Sequence, residues 1–187
     1  MEDSKNLSSE ESLKIITSMI TTAKGNIKGS SFHFLLWGWV VAIGNLGHFA
    51  LIEYSTFDRP YYIWFITIPA WIASMLYGYR QSKNSRVSTY SDGLILWIWL
   101  SFTFSAVIVI FSGQFGPTIP VLMLLLAGMS TFMTGMVLKF KPLIIGGSSF
   151  WIFAVISFIV GPLYSLPVSA LAVIVGYLIP GYKLRNA

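Results

Sequence analysis

Apolar residues in this chain form long runs that are separated by short polar segments. The first long run, residues 32–52, contains twenty-one residues and no fully charged side chain. At about 1.5 Å of rise per residue, a helix of this length matches a hydrocarbon core of roughly 30 Å, so the run predicts a membrane-spanning helix. The same pattern predicts an all-α polytopic bundle of six transmembrane helices, with spans near residues 32–52, 61–79, 93–113, 119–138, 142–160 and 167–182.

The residues before the first span follow a different pattern. Ser8 and Glu11 fit a capping box, and an apolar stripe with helical spacing follows them. This predicts an amphipathic interfacial helix over residues 8–24, in a cytosolic segment 1–31 that precedes a transmembrane domain of residues 32–187. We expect the helix to lie on the membrane surface, and docking on the bundle or on another protein is the alternative. Its basic residues, expected near anionic lipid headgroups, are Lys14, Lys24 and Lys28.

Composition and charge are those of a membrane protein. Only 10% of the residues are charged, against about 25% in soluble domains. The net charge of +5 is a topology signal here and does not indicate a nucleic-acid partner. With six spans, eleven of the twelve Lys and Arg residues fall on one side of the membrane and Arg59 on the other. The positive-inside rule therefore predicts that both termini are cytosolic. The cytosolic loop after the second span adds three candidate residues for lipid or partner binding: Arg80, Lys83 and Arg86.

Aromatic pairs near one end of three spans are compatible with a threefold repeat of helical hairpins. The pairs begin at Trp37, Trp97 and Trp151, at intervals of 60 and 54 residues. Membrane proteins also place aromatic residues at interfaces without internal duplication. The pattern therefore favours general interfacial composition, and a threefold repeat by duplication is the alternative.

Small residues spaced by four mark candidate helix-packing faces, because close approach of backbones drives helix association in lipid. The run Gly146-Gly147-Ser148-Ser149 in the fifth span also predicts tight packing, with a hinge or a cavity wall as alternatives. The predicted packing faces consist of Ala70, Ser74 and Gly78 in the second span, Ala127, Thr131 and Gly135 in the fourth, and Ala172 and Gly176 in the sixth.

Polar side chains inside the first span are the candidates for ligand binding. His33, Trp37 and His48 share one helical face, and Asn45 borders it. Polar side chains within a span usually face the bundle interior or a wet cavity. Asn45 and His48 are therefore candidate cavity residues, with Glu53 near the outer opening. The alternative is that Asn45 and His48 bond each other or a neighbouring helix.

The predicted spans contain no acidic side chain away from their edges. This disfavours a proton-driven antiporter and cation passage, which use intramembrane carboxylates. The sequence has no Gly-rich phosphate loop, no zinc-protease motif and no cysteine. We therefore expect a non-enzymatic protein without a cofactor or a metal.

Three segments are similar to known proteins: residues 11–24 (ESLKIITSMITTAK), 35–39 (LLWGW) and 86–92 (RVSTYSD). In these segments the chain resembles a group of small six-span bacterial inner-membrane proteins that have no known activity. The resemblance implies a bacterial cytoplasmic membrane and supplies no catalytic residue.

Two hypotheses for function follow. The first is a non-enzymatic membrane subunit, an interaction or regulatory component whose basic cytosolic face binds anionic lipid or a partner. The partner is a membrane protein, a cytosolic protein or a second copy of the chain. The alternative is a small-solute transport or substrate-binding component with a cavity near Asn45 and His48. In size and number of spans the chain is similar to the substrate-binding subunits of energy-coupling-factor vitamin transporters, without a shared motif.

Overall fold

The structure of the chain is a computed structural model, which describes the backbone of residues 9–84 and 90–186 and the side chains of residues 31–81, 83 and 91–186. These residues form helices and connecting turns, without a strand among them. The helices are α1 (Ser9–Tyr54), α2 (Thr67–Asn84), α3 (Tyr90–Phe111), α4 (Ile119–Val137), α5 (Lys141–Val160), α6 (Ser165–Val173) and α7 (Ile179–Arg185).

Three shorter helical turns join these helices. One 3-10 helix, Pro60–Ile66, leads into α2, and another, Gly116–Thr118, leads into α4. A π-helical turn, Ile174–Leu178, joins α6 to α7 without a break. We call α6, this turn and α7 together the C-terminal helix.

Among the described residues, five helices are long and apolar enough to cross a membrane, which confirms an all-α fold with several membrane-compatible helices over this part of the chain. The second predicted span, residues 61–79, is not one of them. It is divided between the 3-10 helix and α2, and its many tyrosine and tryptophan side chains lower its hydropathy. The count of six spans and the threefold repeat therefore stay predictions. The five helical segments that are long and apolar enough to cross a membrane are Ser31–Tyr54, Ser91–Phe111, Gly116–Val137, Lys141–Val160 and Ser165–Arg185.

The first helix is longer than the sequence predicts. We expect a separate amphipathic helix over residues 8–24, but α1 continues without interruption from Ser9 to Tyr54, over 46 residues. Gly25 and Gly29 each cost about 1 kcal/mol in a helix interior. Extending an existing helix avoids the cost of a new nucleus, and no proline stops it in this region. At about 1.5 Å per residue α1 measures roughly 69 Å, more than twice the hydrocarbon thickness.

The C-terminal helix lies at the centre of the bundle. The ring of Tyr177 lies 5.7 Å from that of Phe34 in α1, 6.4 Å from Trp99 in α3 and 5.0 Å from Phe150 in α5. Its hydroxyl faces the side chain of Thr131 in α4. One buried tyrosine thus connects the C-terminal helix with four other helices.

Helices α4 and α5 form a close hairpin. A Cβ atom placed on Gly147 would lie 2.6 Å from the Cα atom of Phe132, and one on Gly135 would lie 2.7 Å from the backbone nitrogen of Ile144. Backbones approach this closely only where no side chain stands between them, which is the usual basis of helix association in lipid.

The turn between α4 and α5 is a Schellman motif. The Phe140 N–H donates to the Gly135 carbonyl at 2.9 Å, and the Lys139 N–H donates to the Met136 carbonyl at 3.2 Å. Lys139 has a φ of 51°, in the left-handed region where glycine is the usual residue. A lysine therefore occupies a position whose backbone favours glycine.

Contacts between helices bring several helix ends together at one end of the bundle. A Cβ atom on Gly181, near the end of the C-terminal helix, would lie 3.3 Å from the Cβ atom of Phe34 in α1. One on Gly146, near the start of α5, would lie 3.2 Å from the Cγ atom of Pro180. The beginning of the apolar part of α1, the α4–α5 turn and the end of the C-terminal helix are therefore neighbours.

Candidate functional site

The predicted polar face of the first span lies against α2 and its 3-10 helix. The Nδ1 atom of His33 and the hydroxyl of Ser74 share a hydrogen bond of 2.8 Å. At the other end of this face, the Trp64 indole N–H donates to the Nδ1 atom of His48 at 3.2 Å. Both histidines therefore have neutral hydrogen-bond partners across one helix interface.

A second stripe of α1 contacts the C-terminal helix. Asn45 lies on this stripe and is at least nine-tenths buried. Its side-chain amide donates to the Val41 carbonyl of its own helix at 2.9 Å, its one side-chain hydrogen bond among the described residues. The other buried members of the stripe are Ser31, Phe34, Gly38 and Ala42.

These two stripes are about 100° apart around α1. Asn45 and His48 consequently face different helices and do not bond each other. The sequence pattern places both near one face, because residues three apart in a helix are neighbours; their partners depend on where the surrounding helices lie.

The structure does not gather the cavity candidates around either of two surface clefts. One cleft, of about 350 Å³, lies between α3 and α4 among side chains such as Ile108 and Leu125. The other cleft, of about 440 Å³, is lined by the loop after α1 and the start of the following 3-10 helix, within residues 55–62. Neither is lined by Asn45, His48 or Glu53, and the Glu53 side chain is exposed at the end of α1.

The predicted packing face of α2 is only partly in contact with another helix. Ala70 is buried, and Ser74 is bonded to His33. A Cβ atom on Gly78 would meet no atom within 4 Å, so Gly78 makes no close contact with the described residues.

The other two predicted packing faces are buried. Ala127, Thr131 and Gly135 of α4 lie within the bundle, as do Ala172 and Gly176 of the C-terminal helix. A Cβ atom on Gly176 would lie 2.6 Å from the ring of Phe150, so these helices pack without room for a larger side chain.

Apart from Arg59, the basic side chains that the structure describes are exposed and lie at the end of the bundle where the α4–α5 turn is. Arg59 is exposed at the opposite end. Arg86 and the side chains of Lys14, Lys24 and Lys28 are outside the described residues. The exposed basic side chains at the first end are Arg80, Lys83, Lys139, Lys141, Lys183 and Arg185.

Two buried serines are absent from the sequence-based candidates. Ser157 in α5 and Ser169 in the C-terminal helix are at least nine-tenths buried, and neither hydroxyl has a hydrogen-bond partner in the described chain. Serine is common in membrane helices, so the sequence alone offers no signal that separates these two from the others.

Across the described residues, no group of three or more histidine or acidic side chains is placed to hold a metal ion. Comparison with known proteins finds no matching family model, no similar curated protein and no similar solved structure.

Proposed function

We propose that this chain is a six-span protein of a bacterial cytoplasmic membrane, with both termini in the cytoplasm. We further propose that it is a non-enzymatic subunit whose basic end binds anionic lipid or a protein partner. The observation that carries the proposal concerns the described side chains: six exposed basic ones lie at one end of the bundle, and Arg59 alone lies at the other. Each basic residue near a membrane surface contributes roughly 1 kcal/mol to the binding of anionic headgroups.

Contacts between α1 and the segment that follows it support the crossing of a sixth span. The ring of Tyr77 in α2 stacks on Phe32 at 4.0 Å, and Trp64 of the 3-10 helix bonds His48. His48 follows Phe32 by sixteen positions, which is about 24 Å of helix. The 3-10 helix and α2 therefore lie beside most of the apolar part of α1, where the same lipid surrounds both.

Cysteine labelling in intact cells tests the topology. The chain has no cysteine, so each introduced one is unique. A membrane-impermeant maleimide should label Ser55→Cys and leave Lys83→Cys and Lys183→Cys unlabelled until the membrane is opened. Equal labelling of Ser55→Cys and Lys83→Cys would show that α2 does not cross, and would contradict the six-span arrangement.

Lipid retention tests the basic face. We expect native mass spectrometry of the detergent-purified protein to find bound anionic lipid. A variant with Arg80→Gln, Lys83→Gln and Lys183→Gln should lose most of it, whereas the matched variant Arg59→Gln should keep it. Equal retention by both variants would remove the support for a lipid-binding basic face.

The segment of α1 before residue 31 supports a role in capturing a partner. These residues extend α1 by roughly 33 Å beyond its apolar part. We expect that deleting residues 1–28 abolishes capture of a protein partner and leaves membrane insertion intact. Capture by the truncated protein would contradict this part of the proposal.

The solute-binding alternative has less support, because Asn45 and His48 face different helices and neither cleft includes them. It predicts that replacing both residues with leucine reduces solute binding and uptake. Unchanged uptake by that double variant would remove the alternative.

A further inference from the structure

The two buried serines without partners differ from the buried threonines of α4. Thr131 donates to the Ala127 carbonyl and Thr134 to the Ser130 carbonyl, each at 2.7 Å within its own helix. Ser157 and Ser169 are equally buried and make no such bond. Leaving a hydroxyl unpaired in an apolar interior is costly, so each is expected to have a partner outside the protein atoms.

The register of α5 against the C-terminal helix places these serines opposite each other. Phe150 and Gly176 are in contact, since a Cβ atom on Gly176 would lie 2.6 Å from the Phe150 ring. Ser157 follows Phe150 by seven residues, and Ser169 precedes Gly176 by seven. Seven residues are nearly two turns of α-helix, and the step from Ser169 to Gly176 is α-helical as far as Val173 before it enters the π-helical turn, so the register places the two serines at about the same level.

The buried amide of Asn45 lies at the same level on α1. The rings of Phe49 in α1 and of Tyr164, the residue directly before α6, are 6.2 Å apart, which sets the level of the start of α6 against α1. Asn45 is four residues before Phe49 and Ser169 is five residues after Tyr164, about one turn in each case. Three uncharged polar side chains from three helices thus occupy one layer.

We propose that Ser157, Ser169 and Asn45 form a binding site for a single ordered water molecule between α5, the C-terminal helix and α1. Water both donates and accepts, and buried water in proteins typically makes two to four hydrogen bonds to otherwise unpaired groups. A bare cation is a poorer match, because none of the three side chains carries a compensating negative charge. Ser157 lies three residues before the end of α5, and Ser169 lies four residues after the start of α6. Each serine is therefore about 5 Å from a helix end, so water from the headgroup region has a short path to the site.

A crystal structure of the full chain from a lipid mesophase, at a resolution that shows ordered water, tests the site directly. The expected result is one density peak within about 2.6–3.2 Å of both serine oxygens. Three results would overturn the proposal: a direct bond between the two hydroxyls, hydroxyls turned onto carbonyls of their own helices, or a peak with the shorter ligand distances of a metal cation.

A double-mutant cycle supplies an independent measurement. We expect Ser157→Ala and Ser169→Ala each to raise the unfolding equilibrium constant about three- to tenfold, and the double variant to raise it no further than one single change. Ser165→Ala is the matched control, because its buried hydroxyl already bonds the Pro162 carbonyl, and its effect should multiply with that of Ser157→Ala. Neutral or stabilising single changes would show that the hydroxyls have no partner and would overturn the proposal.

Discussion

The close contact between α4 and α5 predicts opposite effects for the same glycine-to-alanine change at two positions. In Gly147→Ala the new methyl group would lie 2.6 Å from the Cα atom of Phe132 and 2.8 Å from its Cβ atom. Carbon atoms in ordinary contact are about 3.5–4.0 Å apart, so the helices must separate by about 1 Å. In Gly78→Ala the methyl group meets no atom within 4 Å.

The expected magnitudes follow from packing and helix propensity. Overpacking costs about 1–3 kcal/mol, and Gly147 belongs at the upper end because it meets backbone that cannot rotate away. Alanine recovers about 1 kcal/mol of helix propensity. We therefore expect Gly147→Ala to lower the free energy of unfolding by about 2 kcal/mol, and Gly78→Ala to raise it by up to about 1 kcal/mol.

Unfolding by SDS in mixed micelles, followed by tryptophan fluorescence, measures this difference. Spin labels on introduced cysteines at the exposed positions Met133 and Ile145 give a second readout, and their mean distance should increase by about 1 Å in Gly147→Ala. Equal stabilities of Gly147→Ala and Gly78→Ala, with an unchanged label distance, would refute the inference that α4 and α5 pack through their backbones.

Three further predictions use the same unfolding titration. Lys139→Gly should stabilise the protein by up to about 1 kcal/mol, because glycine removes the strain of a lysine in the left-handed region. Lys139→Ala keeps a Cβ atom and should not stabilise it. Equal effects of the two changes would show that loss of the lysine charge, and not relief of backbone strain, causes the stabilisation. The hydrogen bond between His33 and Ser74 should give a coupling of about 0.6 kcal/mol in a cycle of His33→Leu and Ser74→Ala, and additive effects would show that it contributes nothing. Tyr177→Phe should be destabilising by about 1 kcal/mol, and its effect should be less than additive with that of Thr131→Val, because both changes remove the contact between the two hydroxyls while Thr131→Val also removes the bond to the Ala127 carbonyl; full additivity would count against that contact.

Hydropathy is sufficient to locate most of the helices of this protein. The predicted spans 119–138 and 142–160 differ from α4 and α5 by a residue at most. The sixth span is predicted over residues 167–182, with Pro167 and Pro180 shortening its uninterrupted helical part. The structure continues to Arg185, with the π-helical turn Ile174–Leu178 directly before Ile179 and Pro180. A local change of hydrogen-bond register accommodates a proline that would otherwise end or kink the helix.

The partners of each helical face depend on information that a periodic pattern does not contain. The sequence identifies the face of α1 that carries His33 and His48, but not that α2 covers it. It also gives no sign that the neighbouring stripe with Asn45 meets the C-terminal helix. Nothing in the sequence separates Ser157 and Ser169 from the other serines of the membrane-compatible helices. They become candidate site residues only when the register of two helices places them opposite each other.

Exposure of apolar side chains does not identify a partner for a protein of this kind. Only 6% of the apolar window of α3 is buried, against 61% for the C-terminal helix, yet lipid tails solvate an apolar helix as well as another helix would. The proposed membrane topology places the exposed basic side chains at the α4–α5 end in the headgroup region, because they have no such solvent inside the bilayer. The strained Lys139 at this end is consistent with that proposal, since glycine would fit the turn at lower cost but could not present a charge. The basic end is therefore the surface to which we assign the proposed binding of lipid or protein.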